Sequence, residues 1–175
     1  MKPLDIEGLM NYAAQALSAR AYSISEMRTR LKKRAARQED VEEVLDRLKR
    51  GGVLNDHRLA SSFAEWRREN QGMGKHRVMR DLMNRRVAPA LAREAVDAAY
   101  EGADEPAMIQ AFLERKFRGK DLGALLQDQK NLASAFRKLR GAGFSTGNSI
   151  RVLKRYAAEA ERLAELGDEI EEAED

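Results

Sequence analysis

The chain has no cysteine among its 175 residues. A disulfide framework and any thiolate-ligated metal are therefore excluded. Its two histidines, His57 and His76, do not stand at the spacing of a helical metal pair. Neither has a local partner that would make it the base of a nucleophilic site. There is no Walker A loop, no dinucleotide-binding glycine pattern and no paired-carboxylate signature. The sequence is expected to hold no catalytic residue, no metal and no cofactor, and not to be an enzyme. No apolar run approaches the ~20 residues that cross a bilayer. Met1 to Arg20 contains no uninterrupted apolar stretch of the kind that directs export. A cytoplasmic protein without membrane contact is expected. Alternating Val/Ile/Thr runs are missing and proline occurs only three times, so strands are not expected and helices are.

What is present is helical. Hydrophobic residues make up 43% of the chain and charged residues 35%, with much Ala, Leu, Arg and Glu. Val41, Val44, Leu45 and Leu48 follow the i, i+3, i+4, i+7 spacing of one buried stripe. Leu59, Phe63 and Trp66 form a second stripe, and Leu132, Phe136 and Leu139 a third. Ser23 with Glu26 reads as a capping box opening the helix of Met27 and Leu31. Asp56 reads as the N-cap of the helix through Leu59. Pro89 suits the first turn of the helix through Leu91 and Val96. Gly51-Gly52 and Gly141 to Gly143 read as helix stops, and Gly72-Met73-Gly74 as an interhelix turn.

These helices repeat. With Leu31, Leu82 and Phe136 taken as equivalent, Met27, Val78 and Leu132 stand four residues earlier. Leu45, Val96 and Ile150 stand fourteen later, and Leu48, Ala99 and Leu153 seventeen later. Leu17, Phe63 and Phe112 would anchor a first helix in each copy. A constant offset lets two stripes meet at the same angle each time. The expected fold is all-α: three tandem three-helix repeats in an elongated body that can curve. Their expected bounds are 1–56, 57–103 and 104–158. An acidic tail follows over 159–175, expected to be the end of the last helix and then disordered.

The turns between the helices carry a resemblance. Gly52-Val53-Leu54-Asn55-Asp56 with Arg58-Leu59-Ala60 and Phe63 is one such stretch, and Gly74-Lys75 with Val78 and Leu82 another. Lys138-Leu139, Gly143-Phe144-Ser145 and Ile150-Arg151-Val152-Leu153 follow, and Ala16-Leu17 with Ser25-Glu26 and Arg28 to Leu31 stands at the opening. In order and spacing, over roughly residues 10 to 157, these resemble the RecX family, regulators of the RecA recombinase. The resemblance implies three tandem three-helix repeats that dock in the groove of the RecA–DNA filament. It implies restraint of filament growth, of ATP hydrolysis and of strand exchange, in recombination, DNA repair and the SOS response.

Charge identifies the candidate contact surfaces. Nine acids and one base lie in Glu159 to Asp175, which leaves 31 bases and 20 acids, a net +11, on the rest. Arg67, Arg68, Lys75, Arg77, Arg80, Arg85 and Arg86 form one basic cluster against Glu69 and Asp81. Lys130, Arg137, Lys138, Arg140, Arg151, Lys154 and Arg155 form another in a stretch with no acid. Arg151, Lys154 and Arg155 share one helix face. The nine bases from Arg28 to Arg50 stand among five acids and are expected to be paired internally. The other clusters suit either phosphate or an acidic protein groove, and a charge run can also be a solvated face. Two partners are thus open: the recombinase filament, or DNA directly, with single- and double-stranded DNA weaker than the filament on the first reading. A monomer is expected. An acidic tail can compete with nucleic acid for the basic body. Trp66, beside Arg67 and Arg68, could anchor an interface, but its stripe favours core packing, as for Tyr22 and Tyr156.

Overall fold

The computed structural model describes residues 3–163. Among them the chain is helical and has no strand; an isolated bridge joins Leu4 to Ala35. The fold is all-α. In order it runs α1 (Ile6–Ala19), α2 (Ile24–Lys32), α3 (Glu39–Arg50), α4 (Asp56–Gln71), α5 (Lys75–Asn84) and α6 (Pro89–Ala99). It continues with α7 (Glu105–Lys116), α8 (Leu122–Leu125), α9 (Gln129–Gly141), α10 (Thr146–Leu153) and a 3-10 turn (Ala158–Arg162). The helices gather into two compact units, one of Met1–Glu65 and Met79–Ala99, the other of Trp66–Val78 and Tyr100–Asp175. The division falls within α4 and α5, so the helices expected over 57–103 contribute to both units.

In the first unit α1, α2 and α3 close over one aliphatic core. Leu9, Ala13, Met27, Leu31, Val41, Val44 and Leu45 are fully buried there. The predicted stripe on α3 is thus the core face. The capping box of α2 is present: Glu26 N donates to Ser23 Oγ at 3.0 Å and Ser23 N to Glu26 Oε2 at 2.8 Å. The start of α4 differs from expectation. Asn55 is its cap, its Oδ1 accepting from Arg58 N at 2.9 Å. Asp56 Oδ1 instead accepts from Ile24 N at 2.8 Å. That amide is one of the first-turn donors that a helix leaves without an internal partner, so Asp56 ties α4 to α2. Arg85 makes a second tie, pairing with Glu26 at 3.1 Å and donating to Ala21 O at 2.6 Å. Burial pushes the Glu26 carboxyl up, but the hydrogen bonds and charge of Arg85 outweigh it and leave the group below its usual range. The expected internal pairing of the bases between Arg28 and Arg50 is met in part. Arg28 pairs with Glu42, Arg37 with Asp40, Arg47 with Glu43 and Lys49 with Asp46, whereas Arg30 lies over the rings of Tyr12 and Tyr22.

In the second unit α7, α9 and α10 pack around Ile109, Leu113, Leu126, Phe136, Leu139, Phe144, Val152 and Leu153, with Phe112 set edge-on to Phe144. Asp104, Asp128 and Ser145 cap the three helices. The four matched columns fall on buried positions, Ile150 being partly exposed. The first-helix anchors sit less deeply than expected: Leu17 and Phe63 are only partly buried, whereas Leu9 and Ala13 on α1 and Leu59, Ala60 and Ala64 on α4 are buried. Trp66 departs from its expected place in the core and is 50% exposed. The two alanines draw the buried face of α4 round the helix, and Trp66 lies roughly a quarter turn from its centre.

Candidate partner and nucleic-acid interface

The frame of the site is the turn between α9 and α10, where glycine permits a close backbone approach. Gly74 N donates to Ala142 O at 2.8 Å, and His76 N to Gly143 O at 3.1 Å. A Cβ on Gly74 would lie 2.3 Å from the Gly143 carbonyl, and one on Gly143 2.1 Å from Arg77 N. Gly143 also holds a positive φ of 90°, which only glycine adopts without strain. The start of α5 and the α9–α10 turn therefore interlock through bare backbone. Read in sequence, these glycines mark only helix stops and a turn.

A second fixture is Glu105, in the first turn of α7. Its carboxylate accepts from Ser145 N at 2.9 Å, from Ser145 Oγ at 2.6 Å and from Asn148 Nδ2 at 2.5 Å. Burial raises its pKa, but these bonds and the nearby His76 outweigh burial and hold the carboxyl below its usual range. It clamps α10 onto α7, and nothing in the local sequence of Glu105 signals that role. Tyr100 donates its hydroxyl to Met73 O at 2.6 Å. Burial pushes that phenol up to about 12, so it stays protonated and remains a donor.

This frame presents cationic side chains outward. On α10 the buried positions are Ser149, Val152 and Leu153. The opposite side carries Gly147 and Arg151, then Lys154 and Arg155 just past the helix end, all exposed. On α9, Lys130 and Arg137 stand seven residues apart, opposite the buried Leu132, Ala135, Phe136 and Leu139. Among the described residues Lys130, Arg137, Arg151 and Arg155 take part in no ion pair, while Lys154 meets Glu161.

Other predicted contact residues have structural work. Arg140 Nη1 donates to Phe144 O at 2.6 Å and Arg77 Nη1 to Gly141 O at 3.3 Å, both bracing the α9–α10 turn. Lys138 is partly buried, bonded to Ser134 and facing the Phe117 ring at 5.8 Å. Arg67 bonds Gln71 within α4, and Arg68 pairs with Glu69 at 3.0 Å. Lys75 is exposed at the start of α5, and Arg80, partly buried on the same helix, belongs to the first unit. Lys130, Arg137, Arg151, Lys154 and Arg155 thus belong to one small unit, and Arg80 to the other. The acidic stretch begins in the 3-10 turn rather than at the end of α10, with Ala160 and Leu163 buried against the core. Residues 164–175 of the tail, and their expected disorder, lie outside the described residues.

Within the described residues the chain is all-α, built of three-helix sets that carry cationic side chains on their outer faces. No helix among the described residues is long and apolar enough to cross a membrane. Residues 10–48 match the first three-helix domain of RecX, and residues 55–96 match its second. Regulatory protein RecX of Pseudomonas fluorescens is 32% identical over 81% of this chain and 86% of its own length. That of Streptomyces coelicolor is 30% identical over 79% and 72%. The crystal structure of RecX from Lactobacillus salivarius has a TM-score of 0.63, covering 86% of this chain and 96% of that one, and at 14% identity it speaks for the fold alone. The chain belongs to the RecX family, a family of regulatory proteins.

Proposed function

We propose that this protein acts in the cytoplasm as a monomer that binds the RecA–DNA filament and restrains its ATP hydrolysis and strand exchange. Family membership supports the recombinase as partner. The observation that carries the proposal is the set of exposed cations Lys130, Arg137, Arg151 and Arg155, which form no ion pair among the described residues and stand on a rigidly braced unit. On this reading α7, α9 and α10 are a third copy of the three-helix domain, and the tandem copies bridge more than one filament subunit. Bridging gains avidity without any single strong contact. It also hinders the subunit motions that nucleotide turnover requires.

The test is a titration of this chain, below the recombinase concentration, into RecA hydrolysing ATP on single-stranded DNA. The rate should fall. The reversals Arg137→Glu and Arg151→Glu, at exposed positions, should require several times more protein for the same inhibition. An unaffected rate across the titration would refute the proposal.

A second reading, direct nucleic-acid binding, is favoured by Gly147 and Arg151 on α10, the last helix of its three-helix set, with Lys154 and Arg155 just past its end. It requires bare DNA to be bound as tightly as the filament. The log–log salt slope should then change by about 0.7 for each single-strand phosphate contact removed.

A further inference from the structure

A groove of about 480 Å³ lies between α9 and the 3-10 turn of the second unit. Leu132, Ala133 and Leu163 make its apolar floor, and Lys130, Arg137 and Arg162 its cationic rim. Glu159 is the acid on that rim, 4.0 Å from Arg162. Leu163 is also the last described residue. The next twelve residues, 164–175, hold seven acids (Glu165, Asp168, Glu169, Glu171, Glu172, Glu174, Asp175), no base, and the apolar Leu166 and Ile170.

We propose that the segment Ala164–Asp175 docks on this groove, so that the chain carries its own competitor for the α9 cations. Three observations lead there. The segment starts from a residue that lines the groove, so no long loop has to be closed. Twelve residues reach at most ~40 Å, ample to pass Lys130 and Arg137 on the same rim. The chemistry is complementary on both counts, carboxylates for the rim and Leu166 and Ile170 for the floor. A tether this short gives an effective concentration on the order of millimolar. Even a weak groove–segment affinity is then enough to keep the groove largely covered at low salt, and to lose it as salt screens the charges. The docking stands without any reading of function. Its consequence, that a polyanionic partner must displace the segment, rests on the proposed function.

The test uses the full chain with a carbodiimide that joins amines to carboxylates in direct contact, followed by peptide mapping. Lys154 and Glu161, already paired, should crosslink and report that the chemistry worked. Lys130 should crosslink to one or more carboxylates between Glu165 and Asp175 at low salt. That link should vanish in Lys130→Arg, fade near 0.5 M salt (about twice-shortened screening length), and fall on addition of a single-stranded oligonucleotide. The variant with Glu165, Glu169, Glu171 and Glu172 changed to Gln and Asp168 to Asn should bind that oligonucleotide about two- to tenfold tighter at low salt. A Lys154–Glu161 link without any Lys130–segment link would overturn the docking. A Lys130 link with unchanged oligonucleotide affinity would overturn the competition. Neither outcome depends on the recombinase titration, which can fail separately.

Discussion

Adding one methyl group at Gly74 should destabilise the second unit by more than most core truncations would suggest for so small a change. Gly74 has no positive φ, so its backbone tolerates alanine, and the cost is purely one of approach. The new Cβ would stand 2.3 Å from the Gly143 carbonyl carbon and oxygen. Ordinary carbon contacts lie near 3.5 Å, so the α9–α10 turn must retreat by about 1 Å. That movement strains or breaks the bonds from Gly74 N and His76 N to Ala142 O and Gly143 O, each contributing about 0.5–1.5 kcal/mol. With the lost close packing the total is about 2–4 kcal/mol. Gly102, in the same unit, isolates the other term: its φ is +66° and nothing lies within 4 Å of a Cβ there. Gly102→Ala should therefore cost roughly 1–2 kcal/mol, from left-handed backbone alone. Gly143→Ala combines both and should cost the most, about 3–5 kcal/mol. Urea unfolding followed by the fluorescence of Trp66, the single tryptophan, reads the order. A 3 kcal/mol loss moves the midpoint by about 1–3 M. If Gly74→Ala unfolds within ~0.5 kcal/mol of the parent, or Gly102→Ala matches Gly143→Ala, the close approach is not what holds the turn.

Other outcomes follow from single contacts. Glu26 and Glu105 both titrate below their usual range in the folded chain. Their stabilisation is complete above the unfolded carboxyl value, about 4.3, and is lost as pH falls through the lower folded values. Urea midpoints measured from pH 7 to pH 3 should drop on that limb, and less steeply in Glu26→Gln; an identical acid limb in parent and variant would contradict the Arg85–Glu26 tie. Phe136→Ala removes a fully buried ring and should cost about 3–5 kcal/mol by thermal or urea unfolding. Trp66→Ala should change stability by less than ~0.5 kcal/mol, measured by circular dichroism, because the side chain is half exposed.

The helices and the faces they bury are legible in the order of residues alone. Apolar spacing is a local property, and burying a stripe is the one way a short amphipathic helix becomes stable in water. Leu31, Leu82 and Phe136 are therefore picked out as buried positions without coordinates, as is the Ser23–Glu26 capping box. The cationic composition of residues 130 to 156 was equally legible. What tertiary structure alone decided is how each polar group is used. Arg77, Arg140 and Arg85 read as contact charges, yet their guanidinium groups reach carbonyls and a carboxylate dozens of residues away or across a turn. Asp56 and Asn55 are adjacent and equally suited to cap α4, and the choice fell to Asn55 because an amide of α2 came within reach of Asp56. Trp66 fits an apolar stripe but lost the core to two alanines that allow closer packing. The Gly74–Gly143 interlock and the Glu105 clamp join partners roughly forty or more positions apart in sequence. Such pairings depend on where the chain returns, and no periodicity along it records that.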